Sequence, residues 1–324
     1  MWAYEQSKGN TSFTPDDIYI GNGVSELAPM CLTALLNPGD EILIPSPSYS
    51  LWTNAAYLAE ATPVFYRCHQ ENNWQPDPEE IKSLITERTR AILIINPNNP
   101  TGVIYGPELL KELVEVAREN KLLIFSDEIY DRLLLGDAVH VSTASLCPDL
   151  PVITFNGLSK SHVVCGFRCG WMCVSGPDEL TKDYKAALTA LAAMRLCGNA
   201  LTQLVIPAAL EDSAYTKQMM SPGGRLYEQS KAACDALEKI PGLTFVRNQA
   251  AFYVFPKLDI EQFGITDDRK FALDLLHEKH ILLVAGSGFD WPEPDHFRLV
   301  LLPEAQELKK AIEDIGDFLS TYHQ

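Results

Sequence analysis

The sequence lacks long apolar runs and blocks of basic residues. No apolar stretch approaches the length of about 20 residues that crosses a bilayer, and the N-terminal MWAYEQSKGN does not have the cationic and then apolar pattern of a signal peptide. Lys and Arg together number 26 against 43 Asp and Glu, so the formal net charge is -17. These features argue against a nucleic acid or a membrane as the main partner and leave a small molecule as the expected ligand.

Cysteine is scattered through the sequence and does not form the CxxC pairs of zinc sites. The 8 cysteines lie in mostly apolar contexts of a chain long enough to fold without disulfides. We therefore expect reduced thiols and a cytoplasmic protein. Cys165, Cys169 and Cys173 repeat at a spacing of four, which along a strand would place all three on one face, and we predict no metal site.

Short apolar runs are the main structural signal in these 324 residues, 46% of which are hydrophobic. Runs that are apolar on both faces are typical of a covered, mainly parallel sheet, and segments with helical periodicity such as 109–119 lie between them. The sequence therefore predicts an α/β fold. The predicted strands are IYI (18–20), EILI (41–44), AILII (91–95), LLIF (122–125) and VITF (152–155).

Each of these apolar runs stops abruptly at polar residues. The segments that follow are GNGVSE, PSPSYSLW, NPNNPTG, SDEIY and NGLSK. Because the carboxyl ends of parallel strands meet at one edge of a sheet, residues from distant positions should be drawn into one pocket there. The polar residues expected in this pocket are Ser25, Tyr49, Asn99, Asp127 and Lys160.

Each segment taken alone also fits an ordinary structural role. NPNNPTG fits two consecutive turns, and GNGVSE departs from the dinucleotide-binding GxGxxG pattern because Glu26 occupies its last position. An isolated lysine or arginine is usually a solvated charge, and a tyrosine is usually a half-buried aromatic residue. The occurrence of five such segments at one edge of a sheet favours a binding site.

The chemistry of these groups indicates pyridoxal 5'-phosphate as the cofactor. A phosphate binds backbone amides at a helix start, a hydroxyl and an arginine, which the Gly23–Ser25 turn and Arg168 would supply. A protonated ring nitrogen pairs with a buried carboxylate such as Asp127, and an aldehyde reacts with a desolvated amine such as Lys160. A nicotinamide cofactor needs none of the amine chemistry.

These motifs resemble the class I aminotransferases of the fold type I pyridoxal phosphate enzymes. The resemblance runs from IYIGNGVSE through NPNNPTG, SDEIY and NGLSKSHVVCGFRCGW to HFRLV. It is most similar to alanine aminotransferases of bacterial type in NGLSK, AAMRLC, GGRLYEQ and WPEPDHFRLV. It implies a large domain with a mainly parallel, seven-stranded type of sheet flanked by helices, a smaller C-terminal α/β domain, and a homodimer.

The resemblance also implies a role for each residue that faces the cofactor ring. Lys160 forms the internal aldimine and then moves the substrate proton, and Asp127 keeps the pyridine nitrogen protonated. Tyr130 and Asn99 hydrogen-bond the phenolic oxygen, while Tyr49 stacks on the ring. Lys160, Asp127 and Tyr130 are thus the implied catalytic residues.

Two further groups of residues are implied for the ends of the site. The phosphate would be held by Gly23, Val24, Ser25, Ser159 and Arg168. The substrate carboxylate would be gripped by Arg298, in HFRLV, together with Asn99.

The sequence departs from the family pattern at three places. Gly157 stands where many relatives have a phosphate-binding serine, which Ser159 would have to replace. Ala250 stands where relatives usually have glycine, and its methyl group would strain the backbone if φ were positive there. Relatives also usually carry residues before IYIGNG that hold part of the small domain, a substrate contact and a tyrosine that reaches the partner's phosphate.

We accordingly expect a large pyridoxal phosphate domain over residues 1–213 and a small domain over 214–324. The expected reaction is L-alanine plus 2-oxoglutarate to pyruvate plus L-glutamate. Alternatives are a transaminase of other specificity, a pyridoxal phosphate lyase, or a non-catalytic binding module with this fold.

Overall fold

A large central sheet organises the fold. The computed structural model describes residues 1–212 and 214–324. Within these ranges the sheet has seven strands in the order β1-β7-β6-β5-β4-β2-β3. They are β1 Ile18–Asn22, β2 Glu41–Ser46, β3 Thr62–Arg67, β4 Thr89–Ile95, β5 Leu123–Asp127, β6 Val152–Gly157 and β7 Cys169–Ser175.

Most of the sheet is parallel. Strands β3, β2, β4, β5 and β6 pair in parallel, whereas β7 runs antiparallel to both β6 and β1. This architecture confirms the predicted α/β fold. The strands extend a little beyond the apolar runs, so that Asp127 and Gly157 are the last residues of their strands.

Helices cover both faces of the sheet and connect its strands. No helix in the described ranges is both long enough and apolar enough to cross a bilayer. The helices are α1 Trp2–Ser7, α2 Val24–Leu35, α3 Leu51–Leu58, α4 Pro78–Leu84, α5 Pro107–Glu119, α6 Leu158–Ser161, α7 Asp178–Arg195, α8 Ala200–Gln203, α9 Ile206–Glu211, α10 Ala214–Met220, α11 Arg225–Leu237, α12 Ile260–Phe263, α13 Asp268–Lys279 and α14 Ala305–Thr321.

Strand β4 shows why the runs are apolar on both faces. Ala91, Leu93 and Ile95 pack in one buried cluster with residues of α2 and α3. The intervening Ile92 and Ile94 pack in another cluster with residues of α4 and α5. Since successive side chains of a strand point to opposite faces, each run contributes to two cores at once.

A third apolar cluster lies in the C-terminal part of the chain. It joins α11, α13 and α14 to short strands and also includes Ile129, Tyr130 and Leu133. The short strands are β8 Leu243–Thr244, β9 Tyr253–Val254, β10 Lys257–Leu258, β11 Val284–Ala285 and β12 Phe297–Val300. Ser213, at the predicted domain boundary, lies outside the described residues.

A buried cluster of charges attaches α1 to the segment after β5. The ammonium of Lys8 lies 2.7 Å from Glu5, 3.1 Å from Glu128 and 2.9 Å from Asp131. Burial favours the neutral form of Asp131, but Lys8, His140 and the hydrogen bond from Tyr4 together outweigh burial and hold the pKa of Asp131 below the ordinary value. Lys8 therefore compensates carboxylates that would otherwise be unpaired in the protein interior.

One expectation about the cysteines is wrong. Cys169 and Cys173 are buried on β7, but Cys165 is exposed in the turn before the strand. Arg168, between them, has a left-handed backbone with φ 54° that ends this turn. The three thiols therefore do not share a face of one strand.

Candidate active site

One cavity of about 290 Å³ lies at the carboxyl ends of the parallel strands. It is lined by residues from all five polar segments. Ser25 comes from the first turn of α2, Tyr49 and Asn99 from the segments after β2 and β4, Asp127 from the end of β5, and Lys160 from α6. The topology thus brings together residues as far apart as positions 25 and 160.

Asp127 is a buried carboxylate at the floor of this cavity. Its Oδ2 accepts a hydrogen bond from the Trp52 indole at 3.1 Å, and its Oδ1 accepts one from the Ile129 amide at 3.3 Å. Burial raises the pKa of Asp127 to about 6, although both hydrogen bonds favour the charged form. Because burial disfavours the charged form of Asp127, a cation placed beside it would stabilise the carboxylate.

Lys160 lies on the same cavity, partly buried in the short helix that follows β6. Its charge is close enough to Asp127 to lower the pKa of that carboxyl slightly against the effect of burial. Ser159, the preceding residue, also lines the cavity. An amine and a carboxylic acid therefore face the same small space.

The Gly23 turn and Arg168 form one end of the cavity. Gly23 caps α2 with φ 79°, and a Cβ added to it would lie 2.6 Å from Nη2 of Arg168. That guanidinium donates to the carbonyl oxygens of Asn22 and Cys165, each at 2.9 Å. The glycine thus allows the arginine to lie against the turn, where the first amides of α2 have no partner within the helix.

Arg298, on β12, forms the other end. Its Nη1 donates to Oδ1 of Asn99 at 3.0 Å. The guanidinium packs against two aromatic rings, with its carbon 4.6 Å from the centre of the Tyr253 ring and 4.5 Å from that of Phe289. The buried Nε of Arg298 has no hydrogen-bond partner in the described part of the chain. A carboxylate in the cavity would satisfy this arginine in a planar, bidentate arrangement.

Tyr253 is a residue of this cavity that sequence reasoning missed. Its hydroxyl lies 3.0 Å from the hydroxyl of Tyr130, and either can be the donor. Burial, and then Tyr253, raise the pKa of Tyr130 well above its usual range, so this phenol remains a proton donor. Tyr253 lies in the apolar segment AAFYVF, and no local pattern distinguishes it from other aromatic residues.

The remaining predicted residues have different surroundings. Tyr49 is exposed at the mouth of the cavity and Val24 lines its wall. Gly157 has an extended backbone with φ 172°, and a Cβ there would meet the carbonyl oxygen of Cys169 at 2.7 Å, so a serine at this position would press against β7. The anticipated strain at Ala250 is absent, because the residue with positive φ is Ala251, at 58°.

Comparison with known proteins identifies the family. The model of the family "Aminotransferase class I and II" matches residues 1–315. The chain belongs to this family. Class I aminotransferases use pyridoxal phosphate, and this aminotransferase offers a carboxylate, an amine and an arginine-flanked helix start at separate positions around one cavity. These residues fit the ring nitrogen, the aldehyde and the phosphate of that cofactor.

Relatives of this aminotransferase include enzymes of alanine metabolism. The glutamate-pyruvate aminotransferase AlaA of Escherichia coli is 50% identical over 98% of this chain and 79% of its own length. An alanine aminotransferase of Mycobacterium tuberculosis is 48% identical over 99% of this chain and 75% of its own. A solved Escherichia coli aminotransferase shares 49% identity with a TM-score of 0.98, covering 99% of this chain and 80% of that one.

Proposed function

We propose that this aminotransferase binds pyridoxal phosphate and transfers the amino group of L-alanine to 2-oxoglutarate, giving pyruvate and L-glutamate. The observation that carries this proposal is the single cavity that joins Asp127, Lys160, Arg168 and Arg298. The choice of substrates rests on the glutamate-pyruvate aminotransferase that is 50% identical to this chain.

The cofactor, when bound, supplies an aldehyde that takes up the amino group and a ring that withdraws electrons from the substrate Cα. The Lys160 amine is the group of this chain that bonds the aldehyde. With the cofactor bound, the same amine would be placed to accept the proton of the substrate Cα and to donate it again, as a general base and then a general acid. Asp127 keeps the ring nitrogen protonated, because a buried carboxylate favours a cation beside it.

Arg298 decides which bond of the substrate breaks. By binding the carboxylate together with Asn99, it would fix the orientation of the substrate Cα relative to the cofactor and so favour cleavage of the Cα–H bond. Orientation therefore favours proton removal over loss of carbon dioxide. Asn99, Tyr130 and Tyr49 line the same cavity and would hold the cofactor ring, the first two as hydrogen-bond donors and Tyr49 as an aromatic contact.

The phosphate end has a separate set of residues. Arg168 supplies the charge, and the backbone amides of Gly23, Val24 and Ser25 supply hydrogen bonds at the start of α2. The Ser25 and Ser159 hydroxyls complete the set. Phosphate binding and carboxylate binding by Arg298 would thus use separate groups of residues.

We further propose a cytoplasmic homodimer with domains at 1–213 and 214–324. The domain division is supported by the apolar cluster that joins α11, α13 and α14 to the short C-terminal strands. Dimerisation is supported by exposed apolar side chains around the end of α7, where Met194, Leu196, Leu201 and Leu204 are 77% to 84% exposed. Sedimentation of the protein as a monomer at micromolar concentration would contradict the homodimer.

Borohydride reduction in the presence of pyridoxal phosphate tests the assignment of the lysine. We expect a covalent cofactor tag on Lys160 by peptide mass spectrometry and no turnover in Lys160→Ala. A tag on another lysine would refute the assignment. A product assay with alanine and 2-oxoglutarate tests the reaction, because a transaminase forms pyruvate and glutamate in equal amounts, whereas a lyase releases ammonia.

A further inference from the structure

The turn that precedes β12 is hydrogen-bonded to a segment more than two hundred positions away in the sequence. This turn is a short 3-10 helix, Gly286–Phe289, with Asp290 as its C-cap residue. It contacts the end of β2. The Ser48 amide donates to the Phe289 carbonyl at 2.8 Å, and the Ser46 hydroxyl donates to the Asp290 carbonyl at 2.7 Å. Both serines are buried, so the attachment lies inside the protein.

The Asp290 side chain adds a second attachment to the same segment. Its Oδ2 accepts from the Thr53 hydroxyl at 2.6 Å and, more weakly, from the Ser48 hydroxyl at 3.5 Å. Its backbone is left-handed with φ 58°, a conformation that aspartate tolerates better than most residues. Burial raises the pKa of this carboxyl, and the hydroxyls of Thr53 and Ser48 oppose that rise. Asp290 thus joins the turn to the start of α3.

The position of this turn matters because it carries Phe289. The guanidinium of Arg298 lies over the Phe289 ring and also over the Tyr253 ring, with its carbon 4.5 Å and 4.6 Å from their centres. With Nη1 held by Asn99, these two rings fix the plane in which the arginine presents its free N–H groups. Without the Thr53 contact the turn would be held mainly by the hydrogen bonds of Ser46 and Ser48 to its backbone carbonyls. Its position would then be less strictly fixed, which would widen the range of orientations open to the guanidinium.

We propose that Asp290 is a positioning residue that holds Phe289 against Arg298 and so sets the arginine for the substrate carboxylate. The inference rests on the carboxylate-binding role proposed for Arg298. Asp290 and its partner Thr53 do not line the cavity, so their effect reaches the substrate only through Phe289 and Arg298.

Binding of glutarate to the holoenzyme tests the proposal without turnover. This dicarboxylate lacks the amino and oxo groups of the substrates and reports on carboxylate binding alone. We expect Asp290→Ala and the isosteric Thr53→Val each to raise its calorimetric Kd by about tenfold, which corresponds to about 1.4 kcal/mol. Asp290→Asn should change Kd by less than about threefold, since an amide oxygen still accepts from Thr53.

Steady-state kinetics give a second measurement. The KM values for alanine and 2-oxoglutarate should rise with Kd, while the cofactor affinity should change by less than about twofold. The double variant Asp290→Ala/Thr53→Val should be no worse than either single variant, because both remove one interaction. Thr154→Val is the matched control, because its buried hydroxyl has no hydrogen-bond partner in the described residues.

The outcomes separate the two proposals. If Arg298→Ala weakens glutarate binding but Asp290→Ala and Thr53→Val do not, Asp290 has no positioning role and the inference fails alone. If Arg298→Ala leaves glutarate binding unchanged, the proposed carboxylate site fails and the inference fails with it. Equal losses in Asp290→Asn and Asp290→Ala would likewise overturn the role of the Thr53 hydrogen bond.

Discussion

The raised pKa of Asp127 predicts an unusual pH dependence of stability in the cofactor-free protein. The rise from an ordinary 3.8 to about 6 comes first from burial, and it amounts to about 3 kcal/mol between the two protonation states. The folded protein keeps this proton to higher pH than the unfolded chain does. The stabilising contribution is therefore complete below about pH 4 and is lost as the pH rises through about 6.

Asp127→Asn removes this titration and keeps the shape of the side chain. The amide changes the hydrogen bonds with Trp52 and Ile129, but that cost does not depend on pH. The free energy of unfolding of the native sequence minus that of the variant should therefore fall by roughly 2 kcal/mol between about pH 4.5 and about pH 7.5. The difference isolates Asp127 from every other group that titrates in this range.

Urea denaturation of both cofactor-free proteins across this pH range measures the difference directly. Parallel pH profiles for the two proteins would refute a raised pKa at Asp127. Pyridoxal phosphate provides an internal test, because a protonated ring nitrogen beside Asp127 favours the carboxylate. The pH dependence assigned to Asp127 should then shrink in the holoenzyme.

Four further predictions concern other contacts. Lys8→Met should lower the free energy of unfolding by about 3–5 kcal/mol in urea, because it leaves buried carboxylates unpaired, whereas Lys111→Met, in an exposed pair, should cost at most about 1 kcal/mol. Arg298→Ala should weaken amino-acid binding by about 1.5–3 kcal/mol, seen as a higher KM; an unchanged KM for every substrate would contradict its role. Tyr253→Phe keeps the ring beside Arg298 but removes the partner of the Tyr130 hydroxyl, so the pH-dependent absorbance of the holoenzyme should shift while KM changes little. Gly23→Ala should weaken pyridoxal phosphate binding in an equilibrium titration, because its Cβ would displace Arg168. Unaltered cofactor affinity would argue against phosphate binding by the Gly23 turn and Arg168.

Much of the site could be predicted from the sequence because its residues come from the ends of parallel strands. An apolar run followed at once by polar residues is a local pattern, and the rule that strand ends meet at one edge supplies the rest. Ser25, Asn99, Asp127 and Lys160 needed no knowledge of side-chain packing. The chemistry of phosphate binding added Arg168, and the family motifs then extended the prediction to Arg298.

The sequence pattern could not identify the residues that support these groups. Trp52, Tyr253, Phe289 and Asp290 belong to apolar or turn segments like many others, and their partners lie far away in the chain. The sequence pattern also predicts backbone strain at Ala250, whereas the residue with positive φ is Ala251. This difference depends on how the segment packs.

The sequence thus determined the chemical type of each functional group, while the tertiary structure decided its pKa and its orientation. Carboxylate, amine and guanidinium are properties of residue type, and strand order follows from local patterns of apolar residues. The raised pKa of Asp127 and the orientation of Arg298 depend on desolvation and on rings packed from remote segments. Both effects arise only when the folded chain excludes water and brings those segments into contact.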